Sequence, residues 1–145
     1  MIKIEKNLVI NRPIEEVFAF VIDVENLPQW AGPVLEAKQS SEGPLSVGTT
    51  QTHVVNFLGR QAEISYDVTE YEPNKKFSTK ATSGPIPMET IYDFEPVAEG
   101  TMVKLRGNVE AGGFFKLAEP VVAPMLKRQV ETDTNNLKAL LEAQG

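Results

Sequence analysis

Ile2, Ile4, Leu8 and Ile10 fall on alternate positions among Lys3, Glu5, Asn7 and Val9, the period of a strand with one buried face. Asn11-Arg12-Pro13 ends that strand and predicts a helix start. Asn11 offers a capping side chain, Pro13 suits a first turn, and Glu15 and Glu16 set negative charge at the helix's positive end. Ile14, Val17, Phe18, Val21 and Ile22 then recur at helical spacing, giving one short amphipathic helix. Asp23 starts a second short helical piece, which Pro28 and Gly32-Pro33 end, with Trp30 at its close.

From residue 34 to residue 110 the pattern changes to strands and turns. Turn signals at Glu42-Gly43-Pro44, Leu58-Gly59-Arg60, Glu72-Pro73-Asn74, Gly84-Pro85 and Ala98-Glu99-Gly100 stand at hairpin spacing. They delimit strands over 34–40, 49–58, 61–71, 76–83, 88–95 and 101–109. Ala62, Ile64, Tyr66 and Val68 share one face while Gln61, Glu63, Ser65 and Asp67 share the other. Val103, Leu105 and Val109 oppose Lys104, Arg106, Asn108 and Glu110 in the same way. One dry face and one wet face predict an antiparallel sheet covered on a single side.

Gly112-Gly113 closes the last strand. Over 114–143, apolar residues stand at Phe114, Leu117, Val121, Met125, Val130, Leu137 and Leu140-Leu141. Steps of three, four or seven, with one irregular step at Val130, predict a long helix. Pro120 and Pro124 each remove a backbone donor and argue for a kink or a late start. Asp133 and Thr134 lie near the inward face, where apolar residues are expected. The fold class is therefore α+β: a seven-stranded curved antiparallel sheet, two short helices after the first strand, and a long C-terminal helix. One helix cannot cover the apolar face of a flat sheet this wide, so the sheet must curl around it and leave a concave, mostly apolar interior.

Composition narrows the function. A length of 145 residues predicts one domain over 1–145, large enough to hold together without disulfides or a structural metal. There is no cysteine, which removes disulfides, thiolate metal sites and cysteine nucleophiles and fits a reducing, cytoplasmic setting. The N-terminus carries no apolar signal core, and no apolar run reaches membrane-spanning length, so neither a secretory peptide nor a transmembrane segment is expected. Twenty acidic residues against fourteen basic ones leave a net charge of −6. With Lys75-Lys76 and Lys127-Arg128 the only adjacent basic pairs, nucleic acid is not an expected partner.

Asn11-Arg12-Pro13-Ile14-Glu15-Glu16-Val17-Phe18, with Asp23 and Asn26-Leu27-Pro28-Gln29-Trp30, resembles the opening of the polyketide cyclase/dehydrase and lipid-transport superfamily. Gly48-Thr49, Gly59-Arg60, the run 68–73 and Phe94-Glu95-Pro96 through Gly100-Thr101 are similar to that family's strand ends and turns. The resemblance covers nearly the whole chain. It implies the helix-grip fold of the birch-pollen allergen and the START-related steroidogenic lipid-transfer domains. It also implies a hydrophobic ligand, and it assigns no catalytic residue.

His53 is the only histidine and has no ligand cluster around it in sequence, so neither a metal nor a cofactor is expected. It reads as a strand residue at the sheet surface or pocket wall, or as a lone acid or base. Tyr66 and Tyr92 stand in phase with apolar neighbours, as core tyrosines or as hydroxyls that orient a ligand. Thr79 and Thr90 invite the same two readings. The pocket-lining candidates on the strands are Phe57, Ile64, Tyr66, Met88, Tyr92 and Phe94. Those on the helices are Trp30, Phe114, Val121 and Met125, with core packing the competing role for each.

Three functions remain. The first is binding or transport of a small hydrophobic molecule, such as a lipid, isoprenoid or polyketide. The second is a cyclase/dehydrase-type enzyme using Tyr66, Tyr92 or His53 for proton transfer. The third is an assembly partner of a larger complex. An enzyme needs a titratable group with a displaced pKa inside the pocket. The sequence offers few, which favours binding over catalysis. An exposed strand could also support a homodimer.

Overall fold

A computed structural model of the chain describes the backbone of residues 2–57, 59–84, 87–110 and 114–143, and their side chains except at 57 and 114–118. Strand β1 (Ile2–Ile10) leads into helix α1 (Ile14–Ile22), a 3-10 turn (Val24–Asn26) and helix α2 (Leu27–Trp30). Six strands follow: β2 (Val34–Gln39), β3 (Thr50–Phe57), β4 (Arg60–Glu72), β5 (Lys76–Ser83), β6 (Met88–Val97) and β7 (Gly100–Val109). Helix α3 (Phe114–Ala143) completes the chain.

The strands pair antiparallel in the order β1-β7-β6-β5-β4-β3-β2. Successive strands from β2 onward are neighbours, while β1 and β2 lie on opposite edges. The chain between those edges must cross the whole width of the sheet, and α1, the 3-10 turn and α2 make that crossing. Irregular register at Val34/Glu36, Ser65/Tyr66 and Val68/Glu70 bends the strands on that half of the sheet.

Local chemistry explains the element ends, with three departures from expectation. Asn11 does not cap α1. The capping position falls on Pro13, which has extended backbone and no side-chain acceptor, and its carbonyl receives the Glu16 and Val17 N–H groups. Asn11 instead donates its backbone N–H to Glu142 Oε2 on α3 at 2.9 Å. Pro28 opens α2 rather than ending it, in the first turn where a missing N–H costs nothing. Asp23 starts the 3-10 turn as expected, accepting the Glu25 N–H on Oδ1 at 3.1 Å. Helix α3 begins at Phe114 and contains both Pro120 and Pro124, so the prolines do not delay it.

The buried face divides into three clusters. The largest joins Ile10 of β1, Val17 and Phe18 of α1, Phe94 of β6, and Leu137 and Leu141 of α3. A second joins Ile2, Ile4 and Val109 to Val122. A third joins Val55, Ile64 and Tyr66 on β3 and β4. Val34 packs against both the first and third clusters and Met88 against both the second and third, so the three meet only through half-buried residues.

Gly100, at the β6–β7 turn, is the tightest backbone approach. Its φ is +143°, and a β-carbon there would collide with the Ile10 carbonyl oxygen and stand 2.8 Å from the Arg12 nitrogen. The adjacent Thr101 hydroxyl donates to the Arg12 carbonyl at 2.9 Å, which pins the two segments together. Gly100→Ala should therefore cost about 1–3 kcal/mol through backbone strain, read as a lower midpoint in chemical denaturation. An unchanged midpoint would show that the β1 end is free to move aside.

Candidate functional site

A cavity of about 250 Å³ lies between the sheet's concave face, the crossing segment and α3 and opens to solvent on one side. Its wall draws on all three clusters: Val21 and Trp30 from the first, Ile4 and Val109 from the second, Val55 and Ile64 from the third. It exceeds the ~150 Å³ apolar cavity that suffices to hold benzene in an engineered protein. Strand parity places its wall. On β3 the inward set is Gln51, His53 and Val55, and on β6 it is Met88, Thr90 and Tyr92. On β7, Leu105 and Val109 flank Gly107, whose missing side chain leaves space in the wall. Helix α3 contributes Leu126, Gln129, Val130 and Asp133.

Four titratable groups face this largely apolar space. His53 is 8% exposed, its Nε2 has no hydrogen-bond partner among the described residues, and its ring lies 4.2 Å from that of Tyr66 at a tilt of 38°. Burial lowers its pKa from 6.5 to about 4, so the imidazole is neutral at neutral pH. The Tyr66 hydroxyl donates to Met88 Sδ at 3.2 Å, a weak acceptor, and burial pushes its pKa up to about 12. Burial raises the Tyr92 pKa as well, reinforced by Tyr66 and by the Asp133 carboxylate. Asp133 Oδ1 accepts the Gly32 N–H at 3.0 Å and a Gln129 Nε2–H at 2.8 Å, which ties the loop after α2 to α3. Burial raises the Asp133 pKa, and those two hydrogen bonds oppose the rise. Trp30, which also lines the cavity, has its Nε1 buried without a partner among the described residues.

His53 gives stability a pH dependence. Between pH 6.5 and about 4 the unfolded chain holds a proton on His53 that the folded chain lacks. Stability should therefore fall as pH drops through that window, by at most about 3 kcal/mol from this group. Asp133 acts with the opposite sign: its raised pKa keeps a proton in the folded state above 3.8, so its contribution falls as pH rises. Comparison with His53→Gln isolates the first effect, and wild type should lose more stability than the variant on going from neutral pH to pH 4. Parallel profiles would mean that His53 meets water in the folded state.

The profile of the family described as polyketide cyclase/dehydrase and lipid transport matches residues 1–142. The chain belongs to this family. No curated protein matches its sequence. Among solved structures, a Thermus thermophilus protein aligns with a TM-score of 0.83 at 20% identity, covering 99% of each chain. The Zhui aromatase/cyclase from Streptomyces sp. R1128 gives 0.80 at 15% identity, over 97% of this chain and 93% of its own. A START superfamily protein from Mycobacterium smegmatis gives 0.74 at 18% identity, over 99% and 97%. At such identities these structures establish a shared START-like fold, the helix-grip architecture expected from the sequence. Among the described residues of this family member, no helix is long and apolar enough to cross a membrane, and no three His, Cys, Asp or Glu side chains group as a metal would require.

Of the residues singled out from sequence, the structure brings Trp30, Ile64, Tyr66, Met88 and Tyr92 to the cavity wall, together with His53, Thr79 and Thr90. Phe94 does not line it. It sits two residues beyond Tyr92, where α1 covers β6, and packs edge-on against Phe18 at 5.0 Å. Val121 and Met125 also do not line it: they are 75% and 36% exposed, on the outer side of α3. The inward stripe is Val122, Leu126 and Val130, one residue later, and that choice removes the irregular step at Val130. The side chains of Phe57 and Phe114 lie outside the described residues.

Gln51, Gly107, Leu126 and Gln129 were not anticipated. Parity with His53 and with Leu105 marks Gln51 and Gly107, and the four-residue step from Val122 marks Leu126. Nothing in the apolar pattern marks Gln129, whose role comes from its bond to Asp133.

Proposed function

We propose that the chain is a cytoplasmic carrier or sensor that holds a small hydrophobic molecule (a lipid, isoprenoid or polyketide-like compound) in the cavity between the sheet and α3. The observation that carries this reading is the cavity itself: about 250 Å³ of largely apolar space walled by all three core clusters. A ligand in an apolar volume of this size makes dispersion contacts with the whole lining. Family membership supports the reading, since lipid transport is part of the family's description.

Trp30 supplies a direct test, because it is the chain's one tryptophan and lines the cavity. Native mass spectrometry of the purified protein should show an apolar adduct, and stripped protein titrated with 1-decanol should change its Trp30 emission saturably. Absence of both an adduct and a Trp30 response would overturn the reading.

A cyclase/dehydrase-type enzyme is the second reading, and one observation favours it. The sequence promised few titratable groups inside the pocket, whereas His53, Tyr66, Tyr92 and Asp133 all line it with displaced pKa values. A neutral His53 is a proton acceptor, and the two phenols are proton donors to a substrate carbonyl. Turnover of a poly-β-carbonyl substrate that is lost in His53→Gln, with binding kept, would place this reading first.

A further inference from the structure

The charge inventory of the cavity wall points to a selection rule that goes beyond hydrophobic binding. Among the described lining residues none is Lys or Arg, and the only acid is Asp133. The one other group that could become cationic, His53, is held neutral by burial. A carboxylate or phosphate entering this space would lose hydration and find no countercharge, with Asp133 in the wall repelling it. An uncharged oxygen meets different surroundings. The Tyr66 hydroxyl gives its proton only to the Met88 sulfur, so it is available to a better acceptor. Trp30 Nε1 and His53 Nε2 are the two buried side-chain polar atoms without a partner among the described residues, and both residues line the cavity. Groups left in that state are costly, and the Trp30 N–H, a donor, gains from a ligand oxygen.

We propose that the cavity selects uncharged ligands bearing a hydroxyl or carbonyl oxygen, held by the Trp30 indole N–H and the Tyr66 hydroxyl, and excludes carboxylates and phosphates of the same hydrocarbon shape. This rests on the reading that the cavity binds a hydrophobic molecule, and the test separates the two. Trp30 emission is titrated with 1-decanol and with decanoate at neutral pH, so that chain length is matched and only the head group differs. Decanol should bind at least about tenfold more tightly, the ratio expected for an unpaired charge moved near a like charge. In Asp133→Asn, which keeps an acceptor oxygen for the Gly32 and Gln129 N–H groups, the preference for decanol over decanoate should shrink several-fold. Equal or tighter binding of decanoate to wild type would overturn the selection rule and leave the cavity reading standing. Failure of both probes to bind would overturn this rule, and if native mass spectrometry also shows no apolar adduct the cavity reading falls with it. The wild-type comparison decides the matter even if Asp133→Asn does not fold.

Discussion

Gly107→Leu should abolish binding of apolar ligands while leaving the fold intact. Gly107 lies in the middle of β7, paired with Ile4 on one side and Thr90 on the other, and it lines the cavity. A β-carbon built there meets only the Ile4 β-carbon at 3.8 Å, an ordinary contact, so a side chain extends into open space. Leucine would then occupy the volume a ligand needs, and binding should fall by at least about tenfold. Stability should hold or rise. Glycine in a strand interior weakens it, its replacement removes freedom from the unfolded chain worth about 0.4–1 kcal/mol, and a buried leucine side chain contributes about 1.5–3 kcal/mol. A solid interior predicts the reverse, because overpacking costs about 1–3 kcal/mol. Thermal melts beside a Trp30 titration with 1-decanol distinguish the two. A variant that melts several degrees lower yet still binds would remove the cavity from the account.

Gly107 is inconspicuous in the sequence, while its neighbours are not. Hydrophobic alternation identifies a strand face by what is present, and Val103, Leu105 and Val109 stand out for that reason. A cavity is defined by what is missing, and glycine carries no signal except its parity. The strands themselves were legible to within two residues, because turn residues such as Glu72-Pro73-Asn74 and Ala98-Glu99-Gly100 demand particular backbone geometry wherever they occur. Asn74, with φ of 60°, and Gly100 both adopt the backbone that reading required. The cavity was legible on the strands, where Ile64, Tyr66, Met88 and Tyr92 follow a period of two that one misplaced residue cannot shift unnoticed. On α3 it was not. A 3.6-residue period read across two prolines tolerates a one-residue slip, and extrapolating from Phe114 through Val121 to Met125 chose the wrong side. Asp133 had been visible as a polar residue on an inward face, but its meaning needed Gly32, distant in sequence, to come alongside.

The phase of α3 yields the largest stability effects. Leu137 and Leu141 are each 1% exposed and pack with Ile10, Val17, Phe18 and Val68 in the main cluster. Each Leu→Ala change should cost about 2–5 kcal/mol, as the transfer of the lost carbons plus the void they leave. The two sit one helical turn apart and share neighbours, so their effects will not add independently. Even a partly additive pair approaches the ~5–15 kcal/mol that separates a folded domain from its unfolded chain. Leu137→Ala/Leu141→Ala should therefore populate the unfolded state at room temperature, seen as lost near-ultraviolet dichroism and no cooperative melt. On the other side of the same helix, Val121→Ala should stay within about 0.5 kcal/mol, since its side chain already meets water. Met125→Ala should also fall well short of either leucine. These four substitutions fix the rotation of α3 about its own axis without reference to any ligand. If Met125→Ala cost as much as Leu137→Ala, the helix would be turned as the raw sequence stripe implied, and the wall assigned to Leu126, Gln129 and Asp133 would belong to other residues.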